Sequence, residues 1–223
     1  MASESSSNPS SLDIRALILA PVLISIAVTV VRLLGELVEG PSFLFGRAAG
    51  GGFALIGMTW LIPVFGYYFG MQLVRGGNAP KSPGKVLVAS LLSGIVATFI
   101  IGIGTQVFGF LSPLGFVLSI VGAVAGILLP RMLWPELYRV LLKYAVVVRI
   151  AVAWVMLVAV YAAWGTHYDV VPPGFPPGVS PLATWVIIGL VPQLTFWIMF
   201  TVTIGCVFGA IAALVSGGKP AEA

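Results

Sequence analysis

The sequence predicts an all-α fold, a polytopic membrane bundle of about six transmembrane helices with both termini cytoplasmic. Three observations carry this expectation. Hydrophobic residues make up 59% of the chain and charged residues 8%, against about a quarter charged in soluble domains, so there are too few polar groups to cover a water-facing surface. The 223 residues fall into apolar runs near the ~20 residues that cross a bilayer as a helix. Lys and Arg gather at alternate ends of those runs, the pattern that sets orientation in a membrane.

Residues 1–11, Ser-rich with Asn and Pro, read as a disordered tail. The first apolar run has no basic n-region and no small-residue cleavage site after it, so it is expected to stay as a helix. A six-helix transmembrane domain is expected over 12–215 and a short polar tail over 216–223. The first helix covers 12–38, with Pro21 as a candidate kink. Arg32 and Glu36 stand four residues apart near its far end. They share a face, and pairing them lowers the cost of a charge near hydrocarbon. Glu39-Gly40-Pro41 ends this helix, and 42–52, with Phe43, Phe45 and Arg47, is expected at the interface.

The second helix is expected over 52–74, interrupted by Pro63, and is followed by a basic loop rich in helix breakers from Arg75 to Lys85. The third, 86–110, carries Thr98, Thr105 and Gln106. Ser112-Pro113 makes a tight turn, and a short fourth helix covers 115–129. The stretch from Pro130 to Asp169 orients all the others. Its start is basic (Arg131, Arg139, Lys143), its middle over 145–163 carries one charge, Arg149, and its end is aromatic. The Pro- and Gly-rich stretch 165–181 favours extended conformation. Residues 182–215 exceed one span. Pro192-Gln193 divides them, leaving 182–191 either in the interface or as a kinked extension.

Counting basic residues by side gives the orientation. Arg15, Arg75, Lys81, Lys85, Arg131, Arg139, Lys143 and Lys219 fall on one side, and Arg47 lies on the other with Arg32 nearby. The basic side is the cytoplasmic one, which points to the cell membrane. The same scatter at helix ends argues against nucleic-acid binding.

Several function classes are excluded or disfavoured. One cysteine, Cys206, and one histidine, His167, leave no disulfide, no zinc cluster and no bis-histidine haem site within one chain. No metal and no cofactor is expected. His167 beside Asp169 is a weak metal or proton candidate, set against an ordinary solvated loop histidine. Ser82-Pro83-Gly84-Lys85 matches the Ser-x-x-Lys of acylating serines but sits alone in a Pro-Gly loop. No span holds a central carboxylate, and nucleophile–base pairs are missing, so the chain is not expected to be an enzyme.

Arg149 is the leading candidate for an intramembrane site. Taken as lying about 6 Å inside the basic boundary, it either snorkels back to the headgroups or grips a buried partner. With Thr105, Gln106 and Gln193 it makes up the candidate polar lining. Three pairs of glycines spaced by four, Gly66/Gly70, Gly122/Gly126 and Gly205/Gly209, are candidates for close helix packing. A weak internal likeness joins the second helix and the last. Each follows a Thr-Trp pair and a proline with Phe-Gly, Leu-Val and Gly-Gly, although Gly-Gly is also a common stop signal. The expected function is a non-catalytic assembly or accessory subunit packing against membrane lipids, other membrane subunits or itself. The alternative is a passive channel or transporter for a neutral, anionic or lipid-like solute, which a continuous polar cavity reaching Arg149 would favour.

Overall fold

A computed structural model of the chain describes residues 13–51, 54–109 and 111–217. The expected tail 1–11 and residues 218–223 lie outside the described residues. The elements are α1 (Ile14–Leu37), a 3₁₀ turn (Ala49–Gly51), α2 (Leu61–Arg75), α3 (Pro83–Gln106), α4 (Pro113–Leu133) and α5 (Pro135–Ala162). A last helical stretch, Pro181–Val215, comprises α6 (Pro181–Trp185), a π-helical turn (Val186–Leu190), α7 (Val191–Leu194) and α8 (Phe196–Val215). No strand occurs among the described residues.

Proline and polar caps set most of the helix starts. Pro83, Pro113, Pro135 and Pro181 each open a helix, where the missing N–H would have had no partner and the fixed φ is already helical. Asp13 Oδ1 accepts from Arg15 N at 2.9 Å and Ser112 Oγ from Gly115 N at 2.9 Å, filling orphan donors of the first turn. α1 closes with Glu39 at φ 58° and Gly40 N donating to Gly35 O at 2.8 Å.

Five helical stretches are long and apolar enough to cross a membrane: α1, α3, α4, α5 and Pro181–Val215. The expected second span differs. α2 starts at Leu61 rather than residue 52 and has 15 residues. Pro63 lies in its first turn, where a proline costs no helical hydrogen bond, so it helps to start the helix rather than interrupting it. The apolar residues before it pair instead with the preceding loop: Leu55 N donates to Phe43 O at 2.9 Å and Ile56 N to Leu44 O at 3.1 Å. Residues 182–191 continue directly into the last helix through the π turn, which is the kinked extension. Pro192 brings no N–H to this turn, and π turns are frequent where a helix adapts around a site.

Polarity is distributed as in a molecule whose solvent is hydrocarbon. Leu23 is 58% exposed, Phe99 68% and Trp154 62%, whereas Glu36 is 0%, Thr201 1% and Arg149 5% exposed. α8 runs down the middle, packed on α2, α3, α4 and α5. The glycines set its distances. A Cβ on Gly66 would lie 2.6 Å from Gly205 Cα, and one on Gly70 would lie 2.5 Å from Gly209 Cα, so α2 and α8 run in parallel with almost no side chain between them. Leu141 covers Gly205 from α5. On α4, a Cβ at Gly122 would meet Ala97 O of α3 at 2.9 Å, and one at Gly126 would meet Met199 Cγ of α8 at 2.6 Å. Small residues permit such approach where there is no water to drive association.

Candidate functional site

Two polar clusters sit inside the bundle. The first closes the end where α1 and α5 finish. Glu36 is fully buried. Its Oε1 accepts from Arg32 Nε at 2.8 Å and meets His167 Nδ1 at 2.5 Å, and its Oε2 accepts from His167 N at 2.8 Å. Arg32 directs its other donors to loop carbonyls, Gly46 O at 2.9 Å and Gly51 O at 2.5 Å, and Arg47 donates to Glu36 O. The Glu36–Arg32 pair thus ties together three pieces of chain: α1, the 42–51 loop through Arg32 and the segment after α5 through His167. Asp169 serves its own turn, accepting from Gly165 N at 2.8 Å and from Thr166 N and Oγ1 at 2.7 Å, so it does not join His167 as a ligand pair.

Burial pushes the His167 imidazole below its ordinary value, and Arg32 adds to this, while the Glu36 carboxylate opposes it. A neutral ring then donates from Nδ1 to Glu36, whose charge Arg32 already balances. The Tyr168 phenol is pushed up by burial, and its OH donates to Thr29 O at 3.3 Å.

The second cluster lies deeper. Arg149 is the fifteenth residue of a 28-residue helix, about 21 Å from its start at 1.5 Å per residue. Its guanidinium does not turn back toward the basic end. Nη1 reaches Gln193 Oε1 at 3.5 Å, Nη2 reaches Thr201 Oγ1 at 3.3 Å, and Cζ stands 4.8 Å from the Trp197 ring centroid. Thr201 is held by its own bond to Trp197 O at 2.7 Å. Gln193, Trp197 and Thr201 follow at steps of four, so the last helix presents one polar and aromatic face to the cation. The Trp185 indole anchors the kinked part by donating to Ala153 O at 2.7 Å. Among the described residues Arg149 makes no ion pair.

Both clusters line one cavity of about 730 Å³, which also takes in Thr105 and Gln106 from the end of α3. The four sequence candidates Arg149, Gln193, Gln106 and Thr105 therefore border one space. Arg32 and His167 stand at its other end, and Met58, Val152, Met156 and Ile188 supply apolar surface. The volume falls in the range of small-molecule sites, mostly apolar with a few placed polar groups. The glycine pairs lie outside it. The sequence alone does not place His167, Trp197 or Thr201 in the site. The step-of-four spacing from Gln193 could have found the last two, whereas nothing local joins His167 to Glu36. Among the described residues no three His, Cys, Asp or Glu side chains gather to hold a metal. Set against protein-family models, curated proteins and solved structures, the chain matches none of them.

Proposed function

We propose that this chain is a six-pass protein of the cell membrane, the short α2 crossing alongside the last helix as the sixth pass and both termini cytoplasmic, whose cavity holds a small anionic solute on a passive route across the bilayer. One observation carries the reading. Arg149 sits inside the bundle facing an open cavity, with only neutral partners at 3.3–3.5 Å and an aromatic face. A buried cation is costly without a counter-charge, and a guanidinium has five donors. Gln193, Thr201 and Trp197 compensate part of that cost, and an anion entering the cavity supplies the rest. The absence of central carboxylates from the sequence fits passive movement rather than ion-coupled transport. An accessory subunit explains the apolar exterior equally well but gives no use for a charged cavity.

The test is titration of butyrate and phosphate into the purified protein in phosphatidylcholine nanodiscs, read by tryptophan fluorescence through Trp197. Arg149→Gln is expected to weaken binding by about tenfold or more, since removing a charge-assisted hydrogen bond from a buried site costs at least ~1.5 kcal/mol. Arg149→Lys is expected to fall between, keeping charge but losing the planar fork. Equal binding by Arg149→Gln and the parent protein would rule the reading out.

Orientation is tested separately in intact cells with an impermeant thiol reagent, Cys206 being buried. A cysteine at Ser82 is expected to be protected and one at exposed Val171 to react. The opposite labelling would invert the topology.

A further inference from the structure

We infer that the anion held at Arg149 is the head of an amphiphile whose hydrocarbon chain lies in a groove between α3 and α8. This inference rests on the anion-binding reading above and names the class of ligand. A second cavity, of about 710 Å³, lies between these helices. Its apolar walls include Ile95, Phe99, Ile103, Phe200 and Ile204. Gln106 lines both spaces, so the groove and the Arg149 cavity are neighbours at that residue. Across the junction Trp197 packs edge-on against Phe200, ring centroids 5.8 Å apart, so the aromatic that stacks on Arg149 touches a wall of the groove.

Along α3 the lining follows the i±4n row Ser90, Gly94, Thr98, Gly102, Gln106, which runs obliquely across a helix surface. It is about 24 Å long at 1.5 Å per residue. Its glycines are not explained by helix packing. A Cβ on Gly102 would meet nothing within 4 Å, and one on Gly94 would sit at 3.6 Å from Thr203, an ordinary contact. This contrasts with Gly104 on another face of α3 and with Gly122 and Gly126 of α4, where a Cβ would come within 3 Å of a neighbour. At the far end, Ser90 is fully buried and its hydroxyl has no hydrogen-bond partner among the described residues. Other serines and threonines here bond back to a carbonyl, as Thr203 does to Met199 O at 2.9 Å. Ser90 is thus a polar point at the end of an otherwise largely apolar lining.

A polar, cationic pocket beside an apolar channel of this length matches a carboxylate or phosphate head on an acyl chain. A small hydrophilic anion would leave the groove unused. The groove also lies on the bilayer-facing side, where Phe99 and Ile95 are exposed, which gives such a ligand entry from hydrocarbon.

The experiment compares butyrate with palmitate, as ligands of the full chain in phosphatidylcholine nanodiscs, for the parent protein, Gly102→Leu, Thr98→Leu and Arg149→Gln. At equal total concentration palmitate is expected to bind about tenfold or more tighter than butyrate; partitioning into the bilayer at ~0.8 kcal/mol per methylene raises its local concentration equally for every variant, so the groove's share is the part that the groove variants remove. Gly102→Leu fills the groove where there is room for a side chain. It should remove the groove's share of the chain-length advantage while leaving butyrate binding unchanged and the melting temperature no lower than that of the parent protein. Thr98→Leu, at an exposed position, should reduce the advantage in the same sense. Arg149→Gln should weaken both ligands. Replacing part of the phosphatidylcholine with phosphatidylglycerol distinguishes sources: competition with palmitate assigns the site to a bilayer lipid, and its absence to a free single-chain acid. Palmitate no tighter than butyrate, or a chain-length advantage that survives undiminished in both groove variants, overturns the amphiphile while leaving the anion cavity in place. Insensitivity of both ligands to Arg149→Gln overturns the cavity reading itself.

Discussion

Glu36→Gln is expected to destabilise the protein by about 3–5 kcal/mol, the cost of breaking one partner out of a buried charge network. In a chain of this size that lowers the melting temperature in detergent by about 6–20 °C. A glutamine keeps one carbonyl for Arg32 Nε but turns an amide N–H₂ toward the His167 N–H, donor against donor, and leaves the guanidinium without its counter-charge. Glu39→Gln should be nearly silent, since Glu39 is largely exposed and pairs with Arg47 at 3.6 Å, a contact of small net worth. Arg32→Leu added to Glu36→Gln should rescue only part of the loss, because Arg32 also holds Gly46 O and Gly51 O. The same cluster gives stability a pH dependence. The His167 pKa is depressed from 6.5 in the folded state, so below that value the unfolded chain binds the proton that the folded chain refuses. Stability from this group is therefore complete above about pH 6.5 and is lost as pH falls through and below that value. His167→Asn should flatten this acid limb. Equal melting of the Glu36 and Glu39 variants, with no acid limb, would remove the network from the account.

What the sequence makes legible here is local. Arg32 and Glu36 are one helical turn apart, so their pairing follows from period alone, whereas His167 reaches the same carboxylate from 131 residues away and no spacing rule connects them. Glycines at steps of four announce a close approach, but a helix face does not name its partner. That Gly66 and Gly70 meet Gly205 and Gly209 is a property of the packed bundle. Pro63 reads equally as a breaker or as a starter. Pairing of Leu55 and Ile56 with the preceding loop decides for the latter by leaving the helix only Leu61 onward. Arg149 is the most instructive case. From the charges around it, Arg139 and Lys143, it reads as near a boundary, and leaning back along its own helix would reach water. The bundle instead places Gln193, Trp197 and Thr201 opposite it, and these inner partners compete with the interface for the guanidinium. The apolar run that carries them looks featureless, because Gln193 and Thr201 stand two steps of four apart in it, a signal far weaker than the surrounding hydrophobicity.

Gly66→Ala is expected to destabilise more than Gly205→Ala, although the two glycines face each other. A Cβ on Gly66 meets Gly205 Cα and O at 2.6 Å, backbone on a central helix, whereas a Cβ on Gly205 meets the end of a Leu141 side chain at 2.5 Å. Backbone can yield only by moving α2 away from α8, while a leucine can change rotamer within a partly relaxed core. Both substitutions gain similarly in helix propensity, about 0.8–1 kcal/mol, so the difference between them reports packing. Overpacking of this kind costs about 1–3 kcal/mol where a side chain yields, and we expect Gly66→Ala at or above the top of that range. Gly66→Leu and Gly70→Leu should fail to give a folded protein. Gly84→Ala, where a Cβ meets nothing within 4 Å, is the control and should match the parent protein or exceed it slightly. The consequence reaches the site, because α8 carries Thr201 and Trp197 on the face turned to Arg149. Pushing α2 off α8 should therefore loosen Trp197 and alter its fluorescence before the protein unfolds. Melting curves in detergent and the tryptophan emission of each variant decide the matter. Gly66→Ala melting no lower than Gly205→Ala, with unchanged emission, would mean that the two helices are not held at backbone contact.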